Sequence, residues 1–80
     1  MIDKNHVAEK LLSIISDVLE YEEEIHPDDS LVDDYGINSL ESLKLIAEIE
    51  NVWGIEMTGE MLFHIDTVQD MIDAVCEKLQ

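Results

Sequence analysis

A hydroxyl at the exposed start of a helix is a place where a phosphate-linked group can be carried, and Gly36-Ile37-Asn38-Ser39-Leu40 offers one. Asn38 is a favoured N-cap, and Glu41, three residues on, can reach back to complete a capping box. Ser39 then becomes the first helical residue. First-turn amides have no intrahelical partner and the helix dipole favours negative charge there, so a phosphodiester on Ser39 would be well placed. Gly36 supplies the backbone freedom that the approach to such a cap needs. From its local context alone, Ser39 could equally be an ordinary N-terminal helix serine.

Other chemistries fit the residues less well. A serine hydrolase needs a Gly-x-Ser-x-Gly elbow, a general base and an oxyanion hole, whereas Ser39 stands between Asn38 and Leu40. The acidic run with one glycine invites an EF-hand reading, but placing Gly36 sixth in such a loop requires ligands at Leu31, Tyr35 and Ser42, where the side chains are wrong. His6, His26 and His64 are widely separated, and none pairs with another His or with Cys at zinc-ligand spacing. Cys76, four residues after Ile72, reads as a small, half-buried core residue rather than a nucleophile.

The elements that must position Ser39 are helical. Val7, Leu11, Ile14, Ile15 and Val18 recur at helical spacing and predict a first helix from about Lys4 to Leu19. Pro27 and a cluster of acids mark a long loop, in which Leu31, Val32 and Ile37 are apolar and at least one should pin the loop to the bundle. A second helix runs from Ser39 to about Val52. Its predicted apolar face is broad, holding Leu43, Leu45, Ile46, Ile49, Val52 and Trp53, with Glu41, Lys44, Glu48 and Asn51 opposite. Gly54 falls where a C-terminal glycine is expected. Thr58 can cap a short third helix around Gly59 to Phe63. A fourth begins near Asp66 or Thr67, with Val68, Met71, Ile72, Val75 and Leu79 facing inward. Met57, Met61 and Met71 read as core fillers, although an adaptable lining would also suit variable apolar cargo. The expected fold is all-α: a four-helix bundle with a long loop between helices 1 and 2 and a short third helix.

Composition narrows the function further. Eighty residues allow one domain, 1–80, with one small core and no room for a large catalytic fold. Twenty acids against four basic residues give a formal charge of −16, which repels nucleic acid and anionic membranes and favours partners with basic patches. From Tyr21 to Asn38 there are seven acids and no lysine, which by itself reads as a solvated loop. One cysteine excludes an internal disulfide, the N-terminal Met1-Ile2-Asp3-Lys4-Asn5-His6 lacks a signal-peptide character, and no run has membrane-spanning length. A cytoplasmic protein without membrane insertion is the expectation.

The run Asp34-Tyr35-Gly36-Ile37-Asn38-Ser39-Leu40 resembles the prosthetic-group site of acyl and peptidyl carrier proteins, whose usual pattern is Gly-x-Asp/His-Ser-Leu. The similarity continues through Asp29-Ser30-Leu31, Ile46-Ala47-Glu48-Ile49-Glu50, Trp53-Gly54-Ile55-Glu56-Met57 and Thr67-Val68-Gln69-Asp70-Met71-Ile72, in the family's order. The resemblance implies a bundle of the acyl-carrier type and a 4′-phosphopantetheine arm, derived from coenzyme A, on Ser39. It implies a monomeric carrier, not an enzyme, that holds acyl or aminoacyl groups as thioesters. Its partners would be a phosphopantetheinyl transferase, an acyl- or aminoacyl-loading enzyme, and downstream synthases and transferases with basic docking patches. Asn38 stands where Asp or His is usual, which removes a carboxylate from the face met by the transferase. The resemblance also marks Asn38, Leu40, Glu41, Lys44, Glu48 and Met57 as partner-binding, with Met57 alternatively in the core and the rest alternatively plain surface. Acidity resembles fatty acid and polyketide carriers, whereas Lys44 in Ser39-Leu40-Glu41-Ser42-Leu43-Lys44 resembles peptidyl carriers. The competing reading is an unmodified adaptor that uses the acidic second helix as a docking module.

Overall fold

The computed structural model describes residues 3–80. Met1 and Ile2, part of the N-terminal stretch read above for a leader, lie outside the described residues. Helix α1 spans Lys4–Leu19, α2 Ser39–Trp53, α3 Gly59–Phe63 and α4 Val68–Leu79, and there is no strand among the described residues. The expected all-α architecture with a long first loop and a short third helix is the one found.

Each helix starts where a side chain can take up its orphan amides. Asp3 accepts from the amides of Asn5 and His6 at α1, and Thr58 accepts from Met61 at α3. At α4, Thr67 and Asp70 form a reciprocal box: Asp70 N–H donates to Thr67 Oγ1, and the Asp70 carboxylate accepts from the amides of Thr67 and Asp66, all at 3.0 Å. α2 ends at Gly54, whose φ of 65° is the left-handed conformation that glycine adopts without a Cβ penalty. α1 ends in the same conformation at Glu20, φ 53°. A non-glycine residue there costs about 1–2 kcal/mol. Glu20→Gly is therefore expected to raise the thermal midpoint despite added freedom in the unfolded chain, and a melting curve followed by circular dichroism checks it.

The core is built where α1 meets α2 and α4. Leu11 and Ile15 of α1, Leu45 and Ile49 of α2, and Val68, Val75 and Cys76 of α4 are its fully buried side chains. Cys76 is thus a full core member, deeper than the half-buried position expected from sequence. The apolar face of α2 is narrower than predicted. Leu45 and Ile49 are buried and Ile46 and Trp53 half-buried, but Leu43 is 66% exposed and Val52 is exposed as well. At 100° per residue, Leu43 lies roughly 200° around the helix from Leu45, so a neighbour packed on Leu45 cannot also reach it. Met57, one of the residues marked for partners, is only 7% exposed. Its backbone amide donates to Glu50 Oε2 at 2.9 Å, which draws the α2–α3 connection against the bundle and turns the thioether into the core. Met57 accordingly takes the alternative of core filler and offers no docking surface.

The long loop is ordered by polar contacts as well as apolar ones. Leu31 is buried and pins it, as expected of one of the three apolar residues; Ile37 is half-buried and Val32 is exposed. Ile25, not singled out in the sequence, is buried beside them. Leu31 N–H donates to the Asp66 carbonyl at 2.9 Å, while Val68 and Gln69 donate to the carbonyls of Asp29 and Pro27, so the loop is laced to the start of α4. Ser30, the one buried polar residue described, donates from Oγ to Asp66 Oδ1 at 3.0 Å and accepts from the Asp33 amide at 3.1 Å. Tyr35 donates its hydroxyl to Asp29 at 2.7 Å, accepts from the His26 amide, and meets Tyr21 edge to face with ring centroids 5.0 Å apart.

The α4 cap carries a pH dependence. Donation from the Thr67 amide first, and from the Asp66 amide second, holds the Asp70 carboxyl below its ordinary value of 3.8. A depressed folded-state pKa contributes stability that is present above the unfolded value and is lost as pH falls through the folded one. The start of α4, and the loop laced to it, should therefore loosen below about pH 4. An acid titration of helicity should show Asp70→Asn less stable than the parent at neutral pH, with the difference shrinking as the acid transition proceeds. A constant difference across the titration would contradict the assignment.

Candidate functional site

Ser39 is where the sequence reading put it, exposed at the first position of α2. Gly36, at φ 62°, reverses the chain just before it. The Gly36 amide donates to the Val32 carbonyl and the Ile37 amide to the Leu31 carbonyl, each at 3.0 Å, so the approach to the helix is fixed from the buried Leu31 outward. The predicted capping box is present in both directions: Glu41 N–H donates to Asn38 Oδ1 at 2.8 Å, and Asn38 N–H donates to Glu41 Oε1 at 3.2 Å. Ser42 N–H donates to the Asn38 carbonyl at 2.9 Å.

That arrangement decides which donors remain. The third and fourth amides of α2 are taken up, whereas those of Ser39 and Leu40, the first two, are left by the cap and the helix for whatever stands on the Ser39 side chain. With the positive end of the helix dipole they favour a phosphate-bearing group. Nothing around Ser39 resembles hydrolytic machinery. His6, His26 and His64 are all exposed, and His26 and His64 lie in the loop and at the end of α3. Among the described residues, no group of three or more His, Cys, Asp or Glu side chains is arranged to hold a metal ion.

Beside the helix start lies a feature the sequence did not disclose. A cavity of about 220 Å³ opens between the loop, α2 and the α3–α4 connection, lined by Ile37, Ile46, Leu62, Ile65 and Met71 among others, with Ser42 the one hydroxyl in its wall. Ser42 and Ile46 are one and two turns beyond Ser39 on the same side of α2. A flexible chain anchored at Ser39 therefore has an apolar recess within reach. No sequence pattern could have shown it, because its walls come from four separate stretches of chain.

The other residues marked for partners divide by geometry. Leu40 is 61% exposed, and Lys44 and Glu48 are exposed on the outer side of α2, so all three share an open face. Asn38 is exposed and Glu41 half-buried, and both are engaged in the cap. Met57 is absent from this face for the reason given above.

Comparison with known proteins agrees with the geometry. Residues 9–75 match the family described as phosphopantetheine attachment site. The acyl carrier protein of Solidesulfovibrio magneticus is 40% identical over 73 residues, covering 90% of this chain and 94% of that one. The acyl carrier protein of Thermosynechococcus vestitus is 30% identical over 79 residues, covering 98% of each. A solved structure from Mycobacterium tuberculosis, described as an acyl carrier protein, superposes with a TM-score of 0.85 at 30% identity, covering 89% of this chain and 96% of that one. With a capped helix start that fits a phosphodiester and a family match over most of its length, the chain belongs to the phosphopantetheine-attachment family, among the acyl carrier proteins, which bear a covalent 4′-phosphopantetheine and are carriers, not enzymes.

Proposed function

We propose that Ser39 bears the phosphopantetheine arm and that the chain, acting as one monomeric domain in the cytoplasm, presents apolar acyl groups to the enzymes of a fatty acid or polyketide type of biosynthesis. The observation that carries this reading is the pairing of an exposed serine, at an anion-favouring helix start, with an adjacent apolar cavity. The bound arm would supply a terminal thiol on which acyl groups are held as thioesters.

The chain's own residues do the rest. The free amides of Ser39 and Leu40 orient the phosphodiester, and the Asn38–Glu41 box keeps the helix start from fraying. Ile37, Ile46, Leu62 and Ile65 offer an aliphatic chain a surface away from water. A charged aminoacyl group would lose hydration in the same recess with only Ser42 to compensate, which favours acyl over aminoacyl cargo despite Lys44. A charge of −16 favours monomers over self-association and partners with basic surfaces, which exposed carboxylates hold weakly enough to release.

Incubation with coenzyme A and a broad-specificity phosphopantetheinyl transferase tests the reading. Intact-protein mass should rise by one phosphopantetheine, and fragmentation should locate it on Ser39. A folded chain that gains no arm with several transferases would support the adaptor reading instead.

A further inference from the structure

The Asp29-Ser30-Leu31 element of the long loop takes no part in attaching an arm, yet its serine is the one buried polar residue described. A hydroxyl in such a place is costly unless it is bonded, and this one is bonded to two segments of chain. Ser30 Oγ donates to Asp66 Oδ1 at 3.0 Å and accepts from the Asp33 amide at 3.1 Å. The turn over residues 31–35 is held to Ser30 again by its backbone: the Ser30 amide donates to Asp34 Oδ2 at 2.6 Å, and the Asp34 amide donates to the Ser30 carbonyl at 3.0 Å. The turn therefore hangs on Ser30, and the Ser30 hydroxyl ties it to the α3–α4 connection.

Both segments are walls of the cavity beside Ser39. Leu31 and Val32, directly after Ser30, line it from the loop, and Leu62 and Ile65, the latter next to Asp66, line it from α3 and the connection. The backbones meet at an antiparallel bridge of Ser30 with Thr67, flanked by the bonds from Leu31 N–H to the Asp66 carbonyl and from Val68 N–H to the Asp29 carbonyl. The ladder does not continue to Val32 and Ile65, because the loop turns there instead. A chain entering the cavity presses on walls whose backbones are not paired with each other. Walls that are already held cost less ordering to occupy than walls that must first be assembled.

We infer that Ser30 and Asp66 are positioning residues for the cargo: their bond preforms the apolar recess, and through it decides how well an acyl chain is held. The inference rests on the reading that Ser39 bears the arm and that the recess shelters acyl groups. Neither residue lines the recess, so both act through the walls they brace. Backbone bonds of the bridge remain when the side-chain bond is removed, so the fold should persist while the recess loosens.

For the test, the parent, Ser30→Ala, Asp66→Ala and Asp66→Asn are each loaded by a broad-specificity transferase from coenzyme A or from octanoyl-coenzyme A, and intact mass confirms the load. The quantity read is the rise in melting midpoint from the bare arm to the octanoyl arm within each variant, so a general loss of stability cancels. In the parent the rise should be about 5 °C or more, since a chain held only by the folded state stabilises it. Ser30→Ala and Asp66→Ala should each cut the rise by half or more. Asp66→Asn keeps an oxygen that can accept from Ser30 and should keep most of the rise. Combining Ser30→Ala with Asp66→Ala should do little more than Ser30→Ala alone, as for two ends of one bond. Should Ser30→Ala fail to fold, Asp66→Ala carries the test, because Asp66 is an exposed residue. Equal rises in the parent and the alanine variants would overturn the inference and leave the pair a brace of the fold. So would a rise in Asp66→Asn as small as in Asp66→Ala. A parent that takes the arm but shows no rise with octanoyl overturns the sheltering reading and the inference with it, and a parent that gains no arm overturns the carrier reading; both are told apart on the parent alone.

Discussion

Replacing Ser39 with alanine is expected to leave a folded chain that gains no mass from coenzyme A and transferase, and that carries no cargo in any assay downstream. The fold should survive because Ser39 contributes little to it. Its side chain is exposed, and the cap is made by Asn38 and Glu41 rather than by the serine. Surface changes of this kind shift stability by roughly 0.5 kcal/mol or less, and alanine is a good helix former. The functional loss should be complete, since neither Ser42 nor Ser30 is an equivalent acceptor. Ser42 faces the cavity wall and its amide is already bonded to the Asn38 carbonyl, and Ser30 is buried under the loop. Circular dichroism beside intact mass separates the two effects. Residual mass gain in Ser39→Ala would move the attachment site elsewhere, whereas an unfolded variant would show that the serine holds the helix start.

The second large effect is expected at Leu45. This side chain is fully buried on the inward face of α2 and also lines the cavity beside the helix start, so it links stability to the site. Leu45→Ala should cost about 2–5 kcal/mol, from lost apolar burial and from the space left behind. A chain of this size holds only about 5–10 kcal/mol in all. The thermal midpoint should therefore fall by about 10–40 °C. Leu45→Met, which nearly conserves volume, should cost less than about 1.5 kcal/mol. Leu43→Ala, at an exposed position, should be nearly silent in the melt, because there is little packing to lose. If Leu43→Ala and Leu45→Ala melted alike, the orientation of α2 described above would be wrong.

Local rules made much of the fold legible. Asn38 and Glu41, Thr58, and Thr67 and Asp70 are short-range signals, and each marks the helix start at which it is found. α2 ends at Trp53, one residue beyond the predicted boundary and within the ambiguity of a fraying last turn, with Gly54 as the expected C-terminal glycine. Ser39 was legible for the same reason: an N-cap and the residue after it are determined by neighbours three positions away. Apolar periodicity was less informative on α2. It counted Leu43 and Val52 as core because it records that residues are apolar, not how wide a stripe the neighbouring helices cover. Ile25 was missed in the opposite sense, since it belongs to no periodic run and is nevertheless buried, whereas the core placement allowed for Met57 is the one found.

By itself, then, the sequence determined the helices, most of their caps, the exposed serine at the head of α2 and a strongly acidic charge, since these follow from contacts between near neighbours or from composition alone. Only the tertiary structure decided which apolar residues are core and which are surface, that Ser30 and Asp66 lace the loop to α4, and that a recess of about 220 Å³ lies beside Ser39. Those features depend on residues brought together from far apart in the chain, 36 positions in the Ser30–Asp66 bond, and burial is a property of what packs opposite a side chain rather than of the side chain itself.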